Sequence, residues 1–238
     1  GIKGVSLSAN WMWPCKNAGE DARLYKAVQA ASDFAIELGI NIPTGKDSLS
    51  MTQKYGKDKV YAPGTVIIST VGEVTDVKKI VSPVLKPDQD SEIVYIDFSF
   101  DKLQLGGSSF AQVLNRVGMI TALLEMCFAD NRLGLDIDFS YLAEKDIVKI
   151  LFAENPGVLV QIKDCKKVAA ILDEAGVAYN FLGRLGKAGK LNIKKDGKNF
   201  HLDIPSLRDL WFKTSYLLDR RQSGNELALE RYKNYKNH

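Results

Sequence analysis

The chain has 238 residues, enough for one large domain or two modest ones with a substantial core. Charged residues make up 26% and hydrophobic residues 45%, as in ordinary globular proteins, and the net charge of +3 comes from scattered lysines. This composition calls for neither a nucleic-acid nor a membrane partner. Three cysteines without paired or metal-ligand spacing predict reduced thiols and a cytoplasmic protein. The chain has only two histidines, at 201 and 238, so few residues are present that could form a Cys–His or Ser–His catalytic pair.

The first third of the chain predicts a strand, a long helix and a buried strand. Residues 5–9 suggest a short strand, and apolar residues at spacings of three and four predict a helix over 21–38 that stops at Gly39. A short extended segment follows at 40–43. The apolar run at 64–72 predicts a buried strand.

The remainder alternates strands and helices, which favours an α/β layer structure. The polar, proline-bearing stretch at 86–91 is the best candidate for a domain boundary. The final residues from 231 are expected to be exposed or frayed. The predicted strands are 93–98, 135–139, 158–162 and 179–182, and a hairpin is predicted over 191–204 with its turn at Asp196-Gly197. One helix is predicted to begin at Ser108, and three others are predicted over 144–154, 166–175 and 207–229.

Residues 45–51, which read Gly-Lys-Asp-Ser-Leu-Ser-Met, are the strongest candidate for a binding site. Glycine lets backbone N–H groups approach an anion, lysine supplies a charge, and carboxylate or hydroxyl oxygens suit magnesium. The spacing of a Walker A loop is absent. A solvated polar turn is the alternative interpretation. The candidate nucleotide- or phosphate-binding residues in this heptad are Gly45, Lys46, Asp47, Ser48 and Ser50.

Two other places are candidates for the same site. Asn10 follows a predicted strand and could orient the pocket, or it could be a simple turn residue. Gly106, Gly107 and Ser108 precede a predicted helix, where they could bind an anion or form a tight turn with a serine cap. Both interpretations of each remain open.

The order of these motifs carries a family resemblance. Leu-Ser-Ala-Asn-Trp-Met at 7–12, Gly-Glu-Asp at 19–21, the heptad and Leu-Gly-Gly-Ser at 105–108 resemble phosphoribosylformylglycinamidine synthase in its large, single-chain form. The resemblance runs from residue 7 to about 221. Only Leu49 departs from the heptad of the family, which has methionine there, and this exchange conserves volume and polarity.

The resemblance implies an α/β (α+β) fold built from parts of two domain types. Residues 1–86 resemble the later part of the second synthetase-like ATP-binding domain. Residues 91–204 resemble an α/β-sandwich domain of the aminoimidazole ribonucleotide synthetase type, and 205–238 a helical connector toward a glutaminase. In this family a helix and a His-Asp-x-Ser segment precede Met119, whereas here Gly118 runs straight into it. We therefore expect a few dozen residues to be missing between 118 and 119.

The resemblance also implies a function for the longer protein. Its family converts formylglycinamide ribonucleotide, ATP and glutamine to formylglycinamidine ribonucleotide, with ATP or ADP and Mg²⁺ bound. The present segment is expected to contribute an auxiliary nucleotide site, to hold no metal or nucleotide by itself and to be inactive alone. Its expected partners are small-molecule substrates and the other domains of that protein. A non-catalytic scaffold that docks the glutaminase, or another ATP-using synthetase, is the alternative, and the catalytic residues are not assigned.

Overall fold

A computed structural model describes residues 2–99, 101–105, 118–130 and 132–235. The chain divides into two compact units, Gly1–Val81 and Ser82–His238. Gly106, Gly107, Ser108 and the helix predicted to begin there lie outside the described residues, and the three predicted domains stay a prediction. No helix within the described ranges is long and apolar enough to span a membrane.

The first unit has a three-stranded sheet, a long helix and a separate hairpin. In the sheet, the first strand lies in the middle, parallel to the second strand and antiparallel to the last strand of the unit. The third and fourth strands pair only with each other. In chain order the elements are β1 (Ser6–Met12), α1 (Glu20–Leu38), β2 (Asn41–Ser48), β3 (Thr52–Tyr55), β4 (Asp58–Tyr61) and β5 (Thr65–Val71).

Helix α1 begins and ends where the sequence predicts. Gly39 caps its C-terminus in the left-handed conformation, with φ of 68°, and its N–H donates to the carbonyl oxygens of Ala35 and Ile36. A side chain at this position would be strained, so glycine is the residue that ends the helix. Of the apolar side chains on this helix, only Ala35 is buried.

Two expectations for this unit are wrong. Strand β2 continues through Gly45 to Ser48, so the first half of the heptad is strand and not the turn after one. Strand β5 was predicted to be buried, but its apolar side chains are largely exposed, with Ile67 at 51%. The physical reason is position: β5 lies at the edge of a sheet of three strands, which is too small to bury both of its faces.

The second unit is built on a six-stranded sheet with the order β11-β10-β7-β9-β6-β8. All neighbouring strands are antiparallel except β7 and β10, which are parallel. The elements are β6 (Glu92–Asp97), α2 (Met119–Phe128), β7 (Leu135–Asp138), α3 (Ile147–Phe152), β8 (Gly157–Ile162), α4 (Cys165–Glu174), β9 (Ala178–Leu185), β10 (Lys190–Lys195), β11 (Lys198–Asp203), α5 (Ile204–Ser223) and α6 (Asn225–Asn234).

The core of this unit lies between one face of the sheet and the helices. Alternate residues of β7 and β10 point into it, since side chains of a strand alternate between faces. Cys127 of α2 is fully buried there. The core contains Ile93, Leu123, Leu135, Ile137, Phe139, Ile150, Leu182, Leu191, Ile193 and Ile204.

The turn at Asp196-Gly197 is confirmed, and one helix is shorter than expected. Asp196 and Gly197 have φ of 46° and 83°, as two-residue hairpin turns require. The helix predicted over 144–154 covers only Ile147–Phe152. It begins there because the Asp146 side chain accepts a hydrogen bond from the Val148 N–H, at 2.9 Å, and so caps the first turn.

The C-terminal segment is a helical hairpin instead of one helix with a frayed end. Gly224, with φ of 87°, separates α5 from α6. Phe212 stacks on Tyr235 with ring centroids 4.2 Å apart, and Tyr216 stacks on Tyr232 at 4.7 Å. The aromatic pairs bury apolar surface between the two helices and hold α6 in helical form, so the expected fraying is wrong as far as Tyr235. Arg231, Lys233 and Asn234 are exposed, as expected. Residues 236–238 lie outside the described part.

Candidate functional site

The candidate site of the first unit lies where the parallel strands β1 and β2 end together. Parallel pairing places the carboxyl ends of both strands at the same edge of the sheet. Asn10 is the pairing partner of Lys46, and Met12 is the partner of Ser48. Asn10, Lys46 and Ser48 are therefore neighbours across two strands, although Asn10 and Lys46 are 36 positions apart in the sequence.

The side chains of the heptad divide between the two faces of β2. Lys46 and Ser48 share a face, and the Lys46 ammonium donates a hydrogen bond to Ser48 Oγ. Asn10 lies on this same face because it pairs with Lys46. Asp47 pairs with Trp11 and lies on the opposite face, since successive residues of a strand alternate. The structure thus groups Asn10, Lys46 and Ser48 and separates Asp47 from them.

Beyond the strand ends the two chains stay paired. The Trp13 N–H donates to the Ser48 carbonyl at 2.9 Å, and the Met51 N–H donates to the Trp13 carbonyl at 3.3 Å. An isolated bridge joins Pro14 to Ser50, so Ser50 is held beside the segment that follows β1. The second half of the heptad is consequently fixed by backbone hydrogen bonds in a turn-like extension of the sheet.

Trp13 packs next to this edge against Gly64, a partner that could not be predicted from the sequence. Its side chain is only 6% exposed. A Cβ atom built on Gly64 would lie 2.5 Å from two carbons of the indole ring, so glycine is needed there for the ring to fit. The indole N–H has no hydrogen-bond partner among the described residues. The contact joins residues 51 positions apart, and an Ala-Pro-Gly-Thr segment gives no local signal for it.

A polar cluster at the start of α1 borders the same edge. The Asn17 amide donates to the Pro14 carbonyl at 2.7 Å and to Thr52 Oγ1 at 2.9 Å. Its own oxygen accepts a hydrogen bond from the Lys59 ammonium. The Glu20 carboxylate accepts from Arg23 at 2.6 Å. Neither Asn17 nor Lys59 was predicted, because their contact depends on the hairpin β3–β4 being brought next to this loop.

The carboxylates at the helix start have mainly local roles. Asp21 accepts a hydrogen bond from the Ala22 N–H at 2.8 Å, and the capping position, Gly19, has no side chain to do so. Negative charge in the first helical turn is favourable because of the helix dipole. Burial, together with the charges of Asp21 and Glu20, raises the pKa of the Cys15 thiol. Cys15 therefore lacks the environment of a thiolate nucleophile.

The groups at this edge suit a phosphate better than a metal ion. Lysine ammonium, amide and hydroxyl groups donate hydrogen bonds to anionic oxygens. Within the described parts of the chain, no group of three or more His, Cys, Asp or Glu residues is placed to hold a metal ion. What the described residues assemble is thus a phosphate-compatible surface without a set of metal ligands.

A second candidate lies in the other unit, at the end of β6. A cavity of about 710 Å³ opens there, and its lining includes the acidic residues Asp97, Asp101 and Glu144 and the basic residues Lys102 and Lys145. Sequence reasoning did not select these residues. The only local signal was a set of polar residues after a buried strand. Leu103 and Met119, which flank the part of the chain containing Gly106, Gly107 and Ser108, also line the cavity.

The carboxylates around this cavity are used to order its loops. Asp97 accepts hydrogen bonds from the N–H and hydroxyl of Ser99 at 2.8 and 2.6 Å. Glu144 accepts from the N–H groups of Asp146 and Lys145, and these bonds lower its pKa. Because each carboxylate stabilises a turn, the cavity is bounded by loops with defined backbone hydrogen bonds.

Comparison with known proteins gives the family. A family model described as the FGAR-AT PurM_N-like domain matches residues 1–73. The chain is 30% identical to human phosphoribosylformylglycinamidine synthase over 274 positions, covering 96% of the chain and 20% of the human protein. The expected membership of the phosphoribosylformylglycinamidine synthase family is confirmed. A probable phosphoribosylformylglycinamidine synthase from Caenorhabditis elegans is 31% identical over 88% of the chain.

These relatives are much longer than the chain. It spans about a fifth of the length of each of the two synthases. The human match extends over 274 aligned positions but covers 96% of the 238 residues of this chain, which is about 228, so the human sequence has about 46 residues within the matched region that this chain lacks.

Solved structures show the fold. The chain resembles PurL from Thermotoga maritima complexed with ATP, with a TM-score of 0.57 and 11% identity over 85% of the chain and 37% of PurL. The same PurL complexed with FGAR gives 0.59 and 12%, over 85% and 39%. The hydrogenase maturation protein HypE in complex with ATP gives 0.59 and 15%, over 85% and 74%. The expected synthetase-like α/β fold is therefore confirmed.

Proposed function

We propose that the chain is part of an enzyme of de novo purine biosynthesis that makes formylglycinamidine ribonucleotide from formylglycinamide ribonucleotide, ATP and glutamine, and that it contributes an auxiliary nucleotide site. The observation that carries the proposal is the 30% identity to the human synthase over 96% of the chain. The likeness to structures complexed with ATP and with FGAR supports it. The enzyme would be an ATP-dependent ligase of the cytoplasm.

In this proposal the face shared by Asn10, Lys46 and Ser48 holds nucleotide phosphates. The Lys46 ammonium would exchange its hydrogen bond with Ser48 for one to a phosphoryl oxygen, and the Ser48 hydroxyl would donate its own proton to the phosphate as well. Asn10 lies opposite Lys46 and would supply an amide donor. ATP provides the phosphoryl group that turns an amide oxygen into a leaving group in the complete enzyme.

The auxiliary role is favoured over a catalytic one by the absence of metal ligands in the described residues. Phosphoryl transfer requires magnesium close to the transferred group, and Asp47, the carboxylate of the heptad, lies on the other face of β2. The other residues of the complete protein would supply magnesium ligands and the glutaminase. A non-catalytic scaffold that docks the glutaminase is the second candidate, and the same absence of metal ligands supports it.

We further propose that a few dozen residues of the natural protein lie between Gly118 and Met119. The excess of about 46 aligned positions in the human match, 274 against the roughly 228 residues of this chain that it covers, supports this. Intact-mass measurement of the natural protein tests it: a mass several kilodaltons above the 26.4 kDa of this chain is expected after allowance for the terminal regions, which peptide mapping assigns. A tryptic peptide that joins Gly118 directly to Met119 would contradict it.

Turnover measurements test the function. The 238-residue chain alone should neither form formylglycinamidine ribonucleotide nor bind ADP–Mg²⁺ tightly, whereas a longer polypeptide that restores the regions found in the relatives should do both. Product is measured by chromatography, with either glutamine or ammonia as nitrogen donor, and nucleotide by titration calorimetry. Turnover by the 238-residue chain alone would contradict the auxiliary role. A longer polypeptide that turns over without retained nucleotide would support the scaffold.

A further inference from the structure

The sheet of the first unit has one side that α1 covers and one side that α1 leaves open. Ala9 and Trp13 belong to the same side, since side chains alternate along a strand and the backbone pairing of β1 continues to Trp13. The Arg23 guanidinium of α1 lies 5.8 Å from the centre of the Trp13 ring, and Ala9 is only 4% exposed. Helix α1 therefore lies against this side. The other side carries Asn10 and Lys46, and we call it the open face.

The open face is formed by three rows of three residues, one from each strand. Strand pairing places Asn10 between Lys46 of β2 and Ile67 of β5, and the rows on either side are built in the same way. The nine residues include one lysine and no acidic residue, so the charge of the face favours an anionic ligand. The rows are Thr44, Ser8 and Ser69, then Lys46, Asn10 and Ile67, then Ser48, Met12 and Thr65.

Ile67 gives the middle row an apolar end opposite its charged end. Half of its side chain is exposed, and Ser69 and Thr65, two positions away on the same face, place a hydroxyl group on either side of it. Neighbouring strands lie about 4.8 Å apart, so the backbones of Ile67 and Lys46 are about 10 Å apart across β1. A ligand that joins an anionic group to a flat apolar ring through a polar linker matches this row.

Asn10 lies between these two ends. Its side-chain amide forms no hydrogen bond with any residue that the structure describes, so both its N–H donors and its carbonyl oxygen are available to a ligand. The donors suit a phosphate oxygen, and the carbonyl oxygen suits a sugar hydroxyl. The middle row thus presents, in order, a cation, a donor–acceptor pair and an apolar platform.

We propose that the middle row binds a nucleoside diphosphate lengthwise, with its phosphates at Lys46 and Ser48, its ribose beside Asn10 and its base over Ile67. The phosphate end rests on the nucleotide site proposed above. The base end goes beyond it, because Ile67 becomes the residue through which the site prefers a nucleotide to a bare phosphate chain. The base is held by removing the exposed apolar surface of Ile67 from water, a contact that the face of a base can make.

Titration calorimetry with ADP and with inorganic pyrophosphate tests the base contact. It uses the longer polypeptide that restores the regions found in the relatives, freed of nucleotide, in one Mg²⁺ buffer. Ile67→Ser should weaken ADP binding about tenfold and leave pyrophosphate binding within about twofold, since only the base contacts Ile67. Ile68→Ser is the matched control, because Ile68 is 40% exposed on the opposite face of the same strand, and both affinities should stay unchanged.

Ile67→Phe supplies a second test that does not depend on the serine variant being stable. A larger flat side chain should tighten ADP binding by about threefold or more and leave pyrophosphate binding unchanged, because aromatic rings stack on bases. Circular dichroism shows which variants are folded. An unchanged affinity for ADP in the folded phenylalanine variant would overturn the base contact.

Lys46→Ala distinguishes failure of the base contact from failure of the phosphate site. It should weaken the binding of ADP and of pyrophosphate, since both carry phosphates. If it does so while Ile67→Ser changes neither affinity, or lowers both equally, the base contact is overturned and the phosphate site stands. If Lys46→Ala changes neither affinity, the phosphate site is overturned and the lengthwise arrangement with it. A loss of ADP affinity in Ile68→Ser as large as in Ile67→Ser would also overturn the base contact.

Discussion

Replacing Gly64 with alanine should destabilise the first unit through Trp13. The new Cβ would lie 2.5 Å from two ring carbons of the indole, well inside van der Waals contact, and the buried ring has little room to move. Overpacking of this kind costs about 1–3 kcal/mol. Displacement of Trp13 should also disturb the candidate site, because the backbone of Trp13 forms hydrogen bonds with Ser48 and Met51.

Gly72, which follows β5 as Gly64 precedes it, offers a matched control. At Gly72 an added Cβ would meet only Val5 Cγ2 at 3.5 Å, an ordinary contact. Gly72→Ala should therefore stay within about 0.5 kcal/mol of the original chain or stabilise it slightly, through the lower entropy of its unfolded state. Unfolding by urea is followed by tryptophan fluorescence in a Trp211→Phe background, so that the signal comes from the first unit.

A double-mutant cycle isolates the contact. Trp13→Ala alone should cost about 3–5 kcal/mol, as expected for truncation of a buried tryptophan. In that background Gly64→Ala should cost almost nothing, since the clashing ring is gone. The reasoning is refuted if Gly64→Ala costs as much without the indole as with it, or no more than Gly72→Ala.

Three further predictions concern the second unit. Asp203 caps α5 and pairs with Lys190 at 2.7 Å, and these contacts lower its pKa. The stability that it adds is fully present above about pH 4 and is lost progressively as the pH falls toward the lowered pKa. Asp203→Asn should therefore destabilise most at pH 7 and progressively less below pH 4 in urea titrations, whereas a loss that does not change with pH would refute this. Burial raises the pKa of the Cys127 thiol to about 12. In the native protein Cys15 and Cys165 should therefore react with a disulfide reagent, and Cys127 should react only on unfolding. Equal reaction rates for all three thiols would contradict this prediction. Arg208→Met leaves the Phe128 carbonyl without its donor and should lower the free energy of unfolding by about 1–3 kcal/mol. An unchanged free energy of unfolding would show that this hydrogen bond does not stabilise the unit.

Much of the fold could be predicted because its signals are local. Gly39 ends α1 and Asp196-Gly197 turns a hairpin through backbone conformations that few other residues adopt. The extended segment predicted at 40–43 is the beginning of β2, but its continuation to Ser48 was not predicted because Thr-Gly-Lys-Asp-Ser is poor in strand-forming residues. It becomes a strand by pairing with β1, and pairing between distant segments leaves no periodic pattern in either one.

In the candidate site, too, features with a local signal could be predicted and contacts between distant segments could not. The heptad and Asn10 could be selected by residue type, but the separation of Asp47 from Lys46 could not, since it depends on the heptad being extended. Trp13 on Gly64 and Lys59 on Asn17 are contacts between segments far apart in the sequence. The exposure of β5 likewise depends on the number of strands in its sheet, which no single segment encodes.

Nucleotide retention tests the central claim most directly. In a longer polypeptide that restores the regions found in the relatives, Lys46→Ala and Asp47→Asn are compared, and the nucleotide that copurifies is released and quantified. Loss of a charge-assisted bond to phosphate should weaken binding about tenfold to a hundredfold in Lys46→Ala. Asp47→Asn, on the opposite face of β2, should retain nucleotide as the original protein does. Unchanged nucleotide in Lys46→Ala, or equal loss in both variants, would contradict the assignment of this face to phosphate binding.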